Sequence, residues 1–360
     1  TIEEVQLTGD RLHYKLLSGT GPEEGWVAIK ITGSKLCVPK AAGPSGVPEN
    51  GASGEGGPAE EEGTVEVDEA LKARIEADAR ECDKNGDLFK YAMKYKSLGG
   101  PLADPKFRVI CFHNAGSAES NYTGLRTPFI DWVKDVKKVE VLAVDFPGRD
   151  KLREAKKHTS TETLAPLLLS VLHSKLNDGV PYAIWGHSVG TWVAFEFLML
   201  ARKVGLPAPK AAFLNAFPAP HMPDDRRPWH RSKTLNDKML REELFNWDQA
   251  HFSDRGKVVF DDGWQDTWEP LMRADFQLYD EYVFKHAGSP KFDFPIHAWH
   301  MENEHYNTPD MIEMWKVWTT AEFDFDIMKG IGHLTAFYIP EHKQEYFTKV
   351  VTLLKLYSGL

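Results

Sequence analysis

The 360-residue chain is poor in cysteine, in positive charge and in long apolar runs, and each shortage excludes a class of function. Its three cysteines, Cys37, Cys82 and Cys111, are widely spaced and form no CxxC pair, so neither a disulfide framework nor a zinc site is expected. A reducing compartment, cytoplasmic or organellar rather than secreted, fits that usage. No stretch approaches the roughly 20 apolar residues that span a bilayer. The formal net charge is −10, which argues against nucleic acid and anionic membranes as partners, because both need a basic face. Eight acidic residues and no basic one fall between Ala41 and Ala70, so most of the excess sits there. The chain starts at Thr1 rather than Met, so a targeting segment removed, or excision from a longer polypeptide, stays open.

What is present divides into four stretches. Residues 1–38 read as a small β module: Arg11–Leu16, Trp26–Lys30 and Lys35–Val38 are strand-like, with Gly19, Gly21 and Gly33 as turn residues. This module resembles small SH3-like barrels, and Trp26 is either its core residue or a partner-binding one. Residues 39–65 have the Gly, Pro, Ser and Glu content of a flexible acidic linker. Residues 66–104 read as a helical connector, with a polar helix over 66–84 stopped near Gly86. The segment from Glu81 imitates the first half of a calcium loop, but its twelfth position is Ala92, which cannot ligate.

From residue 105 onward, β and α runs alternate. Strands are expected at Phe107–Phe112, Val139–Asp145, Tyr182–Trp185, Ala211–Phe217, Ile296–Trp299 and Phe323–Met328, and helices at Thr161–Leu176 and Val189–Val204. Strands alternating with helices predict an α/β domain with a mostly parallel sheet covered on both faces. Sites in such sheets gather at the carboxyl ends of the strands. The gap between the fourth and fifth of these strands is far longer than a crossover helix needs, which predicts an insertion.

Gly186-His187-Ser188-Val189-Gly190 has the GxSxG pattern of a nucleophile on a sharp strand-to-helix turn. The string alone is weak. An apolar strand directly before it and a long apolar helix directly after it make it specific. A serine nucleophile needs a base, and an acid to orient that base, in the chain order Ser, acid, His. His333, in the glycine-loosened Gly330-Ile331-Gly332-His333-Leu334, is the expected base. Just past the fifth strand lie Glu302, Glu304 and Asp310; Glu304 is the first choice and the other two are alternatives. The histidines and carboxylates at 297–305 match no metal-binding spacing, and no metal is expected. Oxyanion donors are expected from the backbone N–H groups of Val189 and of Ala115, the latter in His113-Asn114-Ala115-Gly116-Ser117 after the first strand. Asn114, His187 and Arg149 are candidate substrate-binding residues.

These motifs together resemble the type II thioesterases, the stand-alone enzymes associated with polyketide and non-ribosomal peptide synthases, and more distantly the thioesterase of fatty acid synthesis. The resemblance covers residues 107–358 and rests on Cys-Phe-His-Asn-Ala-Gly-Ser (111–117), Val-Glu-Val-Leu-Ala-Val-Asp-Phe-Pro-Gly-Arg (139–149), Trp-Gly-His-Ser-Val-Gly (185–190), Pro-Leu-Met-Arg-Ala-Asp-Phe (270–276) and Gly-Ile-Gly-His (330–333). It implies an α/β-hydrolase fold with a helical lid over residues 218–290 and a serine hydrolase acting on acyl thioesters. The partner would be an acyl carrier protein or acyl-CoA, and the substrate's phosphopantetheine, near Arg149, takes the place of any cofactor. A synthase is the partner expected for the N-terminal module. The chain departs from the family where its acid is normally Asp: with Trp315 in register, Glu304 occupies that position.

Overall fold

The structure is a computed structural model. It describes residues 66–85, 94–96 and 102–360 apart from Leu125 and Asp262, together with strand backbones within residues 2–35; for 83–85, 94–96, 151 and 255–257 only the backbone is described. The linker expected over 39–65, the stop at Gly86, Cys37 and the side chain of Trp26 lie outside the described residues.

The chain divides into two units, Thr1–Glu61 and Glu62–Leu360. In the first, β1 (Ile2–Thr8), β2 (Arg11–Leu16) and β3 (Glu24–Ala28) form an antiparallel sheet, and β4 (Lys30–Ile31) pairs with β5 (Ser34–Lys35).

The second unit begins with α1 (Glu69–Asn85), whose Ile75, Ala79 and Cys82 are buried. The segment expected to be a connector is therefore part of this unit. It also supplies a strand that the sequence reading missed, β6 (Lys94–Lys96). The remaining strands are β7 (Phe107–Phe112), β8 (Val139–Asp145), β9 (Tyr182–His187), β10 (Ala212–Asn215), β11 (Ile296–Met301) and β12 (Phe323–Met328). They form one sheet in the order β12-β11-β10-β9-β7-β8-β6. All neighbours are parallel except β6, which runs antiparallel along the edge of β8.

β7 to β11 are buried at every position, as a parallel sheet covered on both faces requires. Successive residues alternate between two apolar clusters: Ile110, Leu142 and Ile184 on one face, Val109, Val141, Ala183 and Trp185 on the other. The first face is covered by α1, α3 (Thr161–Leu176) and α4 (Val189–Lys203), the second by α2 (Pro128–Val136) and α8 (Pro340–Ser358). Local sequence sets these helices. The Ser160 side chain accepts the N–H of Glu162 to cap α3, and Thr127 accepts that of Ile130 to cap α2, whose first residue is Pro128. Cys82 and Cys111 are free and buried, and burial pushes the Cys111 thiol well above its usual range.

Between β10 and β11 the chain leaves the sheet and forms a helical lid from α5 (Asp237–Trp247), α6 (Gln249–Phe260) and α7 (Glu269–Asp280). Its apolar side chains join the first of the two clusters. No described helix is long and apolar enough to cross a membrane.

Candidate active site

β9 ends at His187, and α4 starts at Val189. Ser188 makes the turn between them with φ 56° and ψ −136°, a conformation costly for any residue with a Cβ. Its surroundings hold it there. The Ser188 N–H donates to the Asn215 carbonyl (3.1 Å), while the Ser188 carbonyl accepts from the N–H and the hydroxyl of Thr191 (2.8 Å each). Gly190 lets α4 cross the end of β7: a Cβ there would lie 2.3 Å from the Phe112 carbonyl oxygen and 2.7 Å from that of His113. The turn thus presents the Ser188 hydroxyl above the strand ends.

Two distant loops bring partners to that hydroxyl. His333, between β12 and α8, places Nε2 2.8 Å from Ser188 Oγ. Glu304, just past β11, places Oε1 2.8 Å from His333 Nδ1. A carboxylate can only accept, so Nδ1 carries the imidazole proton and Nε2 presents a lone pair to the serine O–H. All three side chains are nearly inaccessible to solvent. The geometry also decides among the acids weighed from the sequence. Glu302 is exposed and pairs with Lys329 and the Gly330 N–H, and Asp310 is exposed beside Arg226. Only Glu304 meets the imidazole. Its second oxygen, Oε2, faces Nδ1 of buried His300 at 3.9 Å, and neither atom has a hydrogen-bond partner among the described residues.

The expected oxyanion residues flank the same hydroxyl. Val189 is the first residue of α4, so its N–H lacks an intrahelical acceptor. Ala115 and Asn114, on the loop after β7, line a cavity together with Ser188, His333 and the lid residues Trp247, Phe252, Met272, Phe276 and Tyr279. The Asn114 amide donates to the Ala115 carbonyl (3.1 Å) and accepts from Asn121 (2.6 Å), which ties that loop down. Of the lid aromatics, Trp247, Phe252, Phe276 and Tyr279 face this cavity. Trp229 stacks on Phe217, Trp264 packs against Phe260, and Trp268 lines a separate cleft beside Gly116 and Arg153.

Two candidate substrate-binding residues are placed otherwise than expected. His187 lies beneath the site, fully buried, with Nε2 2.8 Å from the His333 carbonyl and Nδ1 3.3 Å from the Tyr346 hydroxyl. Burial, with His333 next to it, pushes its pKa well below the usual histidine value, so it is a neutral strut that fastens the backbone of His333. Arg149 is likewise engaged by protein. Its guanidinium forks onto Asp275 (2.6 and 3.0 Å) and donates to the carbonyls of Phe146 (2.9 Å) and Ser117 (2.6 Å). A charge so nearly buried needs such a partner. The sequence reading missed Asp275, although it lay in the quoted segment 270–276. It also missed Asp248, in the lid, which no motif marks.

The comparisons agree with this architecture. The thioesterase domain family matches residues 107–351. The gramicidin S biosynthesis protein GrsT of Aneurinibacillus migulanus is 24% identical over 253 residues, which covers 70% of this chain and 90% of that protein. Among solved structures, RedJ, a thioesterase from the prodiginine biosynthetic pathway in Streptomyces coelicolor, is 25% identical with a TM-score of 0.56, covering 68% of this chain and 88% of its own. BorB, the type II thioesterase from the borrelidin biosynthetic cluster, is 25% identical with a TM-score of 0.58, covering 72% and 96%. Their shared fold is the α/β-hydrolase fold. The chain belongs to the thioesterase domain family and is a hydrolase.

Proposed function

We propose that this enzyme hydrolyses acyl thioesters through an acyl-enzyme on Ser188, with His333 as general base and acid and Glu304 as its orienting carboxylate. The observation that carries the reading is the unbroken relay of 2.8 Å contacts from Ser188 Oγ through His333 to Glu304, set against an apolar cavity. As Oγ attacks the carbonyl carbon, Nε2 takes the hydroxyl proton, and Glu304 stabilises the imidazolium that forms. The N–H groups of Val189 and Ala115 receive the negative charge that develops on the carbonyl oxygen. The tetrahedral adduct collapses with cleavage of the C–S bond, and the thiolate leaves with the proton held by His333. A free thiol of pKa near 8.5 is a good leaving group, so no metal or cofactor is needed beyond the substrate's own phosphopantetheine. Water then repeats the sequence on the serine ester, and the free acid departs.

The acyl group is carried on an acyl carrier protein or on coenzyme A. Relatives named for gramicidin S, prodiginine and borrelidin biosynthesis support a carrier belonging to a polyketide or non-ribosomal peptide synthase. The unit Thr1–Glu61 lies outside the matched family, and we assign to it the engagement of that synthase.

Matched substrates test the reaction class. An acyl thioester and the oxygen ester of the same acyl group are offered in parallel, and the products are separated by mass. The thioester is expected to turn over at least tenfold faster in kcat/KM, with free acid as the product. Faster cleavage of the oxygen ester makes the protein an esterase instead. An ester, amide or macrocycle in place of free acid makes it an acyl transferase.

A further inference from the structure

Two lid carboxylates leave their own layer to hold the loops that carry the working groups. Asp248, between α5 and α6, is buried. Its Oδ2 accepts the backbone N–H of Leu334 (2.7 Å) and of Thr335 (3.1 Å), and its Oδ1 accepts that of His251 (2.9 Å). Leu334 directly follows His333. The approach depends on Gly332, where a Cβ would lie 2.9 Å from the same Oδ2. Asp275, on α7, is buried too, and its Oδ2 accepts the N–H of Gly116 (2.7 Å) while Arg149 grips both oxygens. Gly116 directly follows Ala115. Its φ is +68°, and a Cβ there would lie 2.2 Å from Cε of Met272, another lid residue.

The geometry points to Asp248 and Asp275 as positioning residues that couple the seating of the lid to the assembly of the hydrolytic site. Neither loop belongs to a strand or a long helix that would fix it. Each is loosened by glycine and carries an N–H, buried at Leu334 and half-buried at Gly116, that takes a side chain of the lid as its acceptor. In both loops that acceptor is a carboxylate oxygen of the lid. In both, the residue held is the immediate neighbour of a working residue: the base in one loop, an oxyanion donor in the other. Below the site, His187, itself bonded to the Tyr346 hydroxyl, holds the His333 carbonyl from the sheet side, so the lid supplies the opposing grip. Lifting the lid takes both carboxylates with it and frees the two loops together. A water-filled open enzyme would then hold an incomplete site, and the seated lid a complete one.

The inference rests on the function proposed above, and its test separates the two. A fluorophosphonate probe counts competent Ser188 sites in the full chain, and thioester turnover is expressed per titrated site. Asp248→Ala and the paired replacement Arg149→Met with Asp275→Leu are compared with wild type. The pair removes both charges at once, so no ion is left buried alone. Turnover per titrated site is expected to fall roughly 10- to 100-fold, as for a displacement of about 1 Å, with KM within about twofold. Asp248→Asn, which keeps one acceptor oxygen, is expected to recover part of the loss. Wild-type turnover per titrated site in both variants would overturn the inference, since carboxylates that only hold the fold together change the number of sites and not their speed. If wild type neither labels nor cleaves thioesters, the proposed function fails. The inference is then still decided by hydrogen exchange, expected to be at least tenfold faster at the Gly116 and Leu334 amides in the variants. Unchanged exchange there would reject it.

Discussion

Ser188→Ala is expected to lower thioester turnover by roughly 10⁴- to 10⁶-fold while the fold persists. The hydroxyl is the group that the proposed relay turns on the acyl carbon, and its hydrogen bond is to His333, on which the turn does not depend. What holds the turn are backbone contacts, from Ser188 N–H to Asn215 and from Thr191 to the Ser188 carbonyl, and these survive the change. The residual rate reflects the oxyanion donors and the cavity acting on water alone. Ser188→Gly completes the experiment. At φ 56° a serine bears strain that glycine does not, so the glycine variant is expected to be equally inactive yet about 1 kcal/mol more stable than the alanine variant. Activity assays and chemical denaturation of the three proteins check both statements.

Glu304→Gln is expected to cost about 10⁴-fold in kcat, nearly as much as losing the serine. The amide preserves the size of the side chain but can turn its NH₂ toward Nδ1. That orientation favours the tautomer with the proton on Nε2, which leaves no lone pair for the serine proton. Glu304→Asp tests distance rather than charge. The relay is built for a glutamate: His333 Nδ1 sits 2.8 Å from Oε1, and the carboxylate is retained in a pocket that His300 closes on the far side. Retracting it by one methylene opens a gap, so a loss of roughly 10- to 100-fold is expected, well short of the amide. Steady-state kinetics of the two variants distinguish a length-matched orienting carboxylate from a bystander, whose replacement would leave kcat within a few-fold.

The parts of this molecule that follow from local sequence are legible in the sequence alone. β7, β8 and β12 and helix α3 have the expected limits, because continuous apolar runs and a Ser160 cap leave little choice of period or start. Ser188 and His333 stand out in the sequence because a strand, a tight turn and a long helix are written in consecutive residues, and because glycines surround His333. β6 escaped because Lys-Tyr-Lys is three residues long and has no apolar signature; it is an edge strand fixed by pairing with β8, which is information held elsewhere in the chain. The bonds made by His187 and Arg149 are hidden from the sequence for a related reason. Both stand next to motif residues, and proximity in sequence suggested contact with substrate. Their side chains instead turn to partners 126 to 159 residues away, Asp275 for Arg149 and Tyr346 and His333 for His187. Asp248 carried only the signal of an ordinary helix cap, accepting the His251 N–H at the start of α6, and nothing in its own segment marks the Leu334 amide that it also holds.

Acid-quench mass spectrometry of the enzyme during turnover of a panel of acyl thioesters tests the central claim most directly. The account predicts that wild type gains the mass of the acyl group, that digestion maps the adduct to the peptide containing Ser188, and that Ser188→Ala neither gains this mass nor turns over. An acyl group mapped to another residue, or thioester cleavage at the wild-type rate by Ser188→Ala, would contradict it.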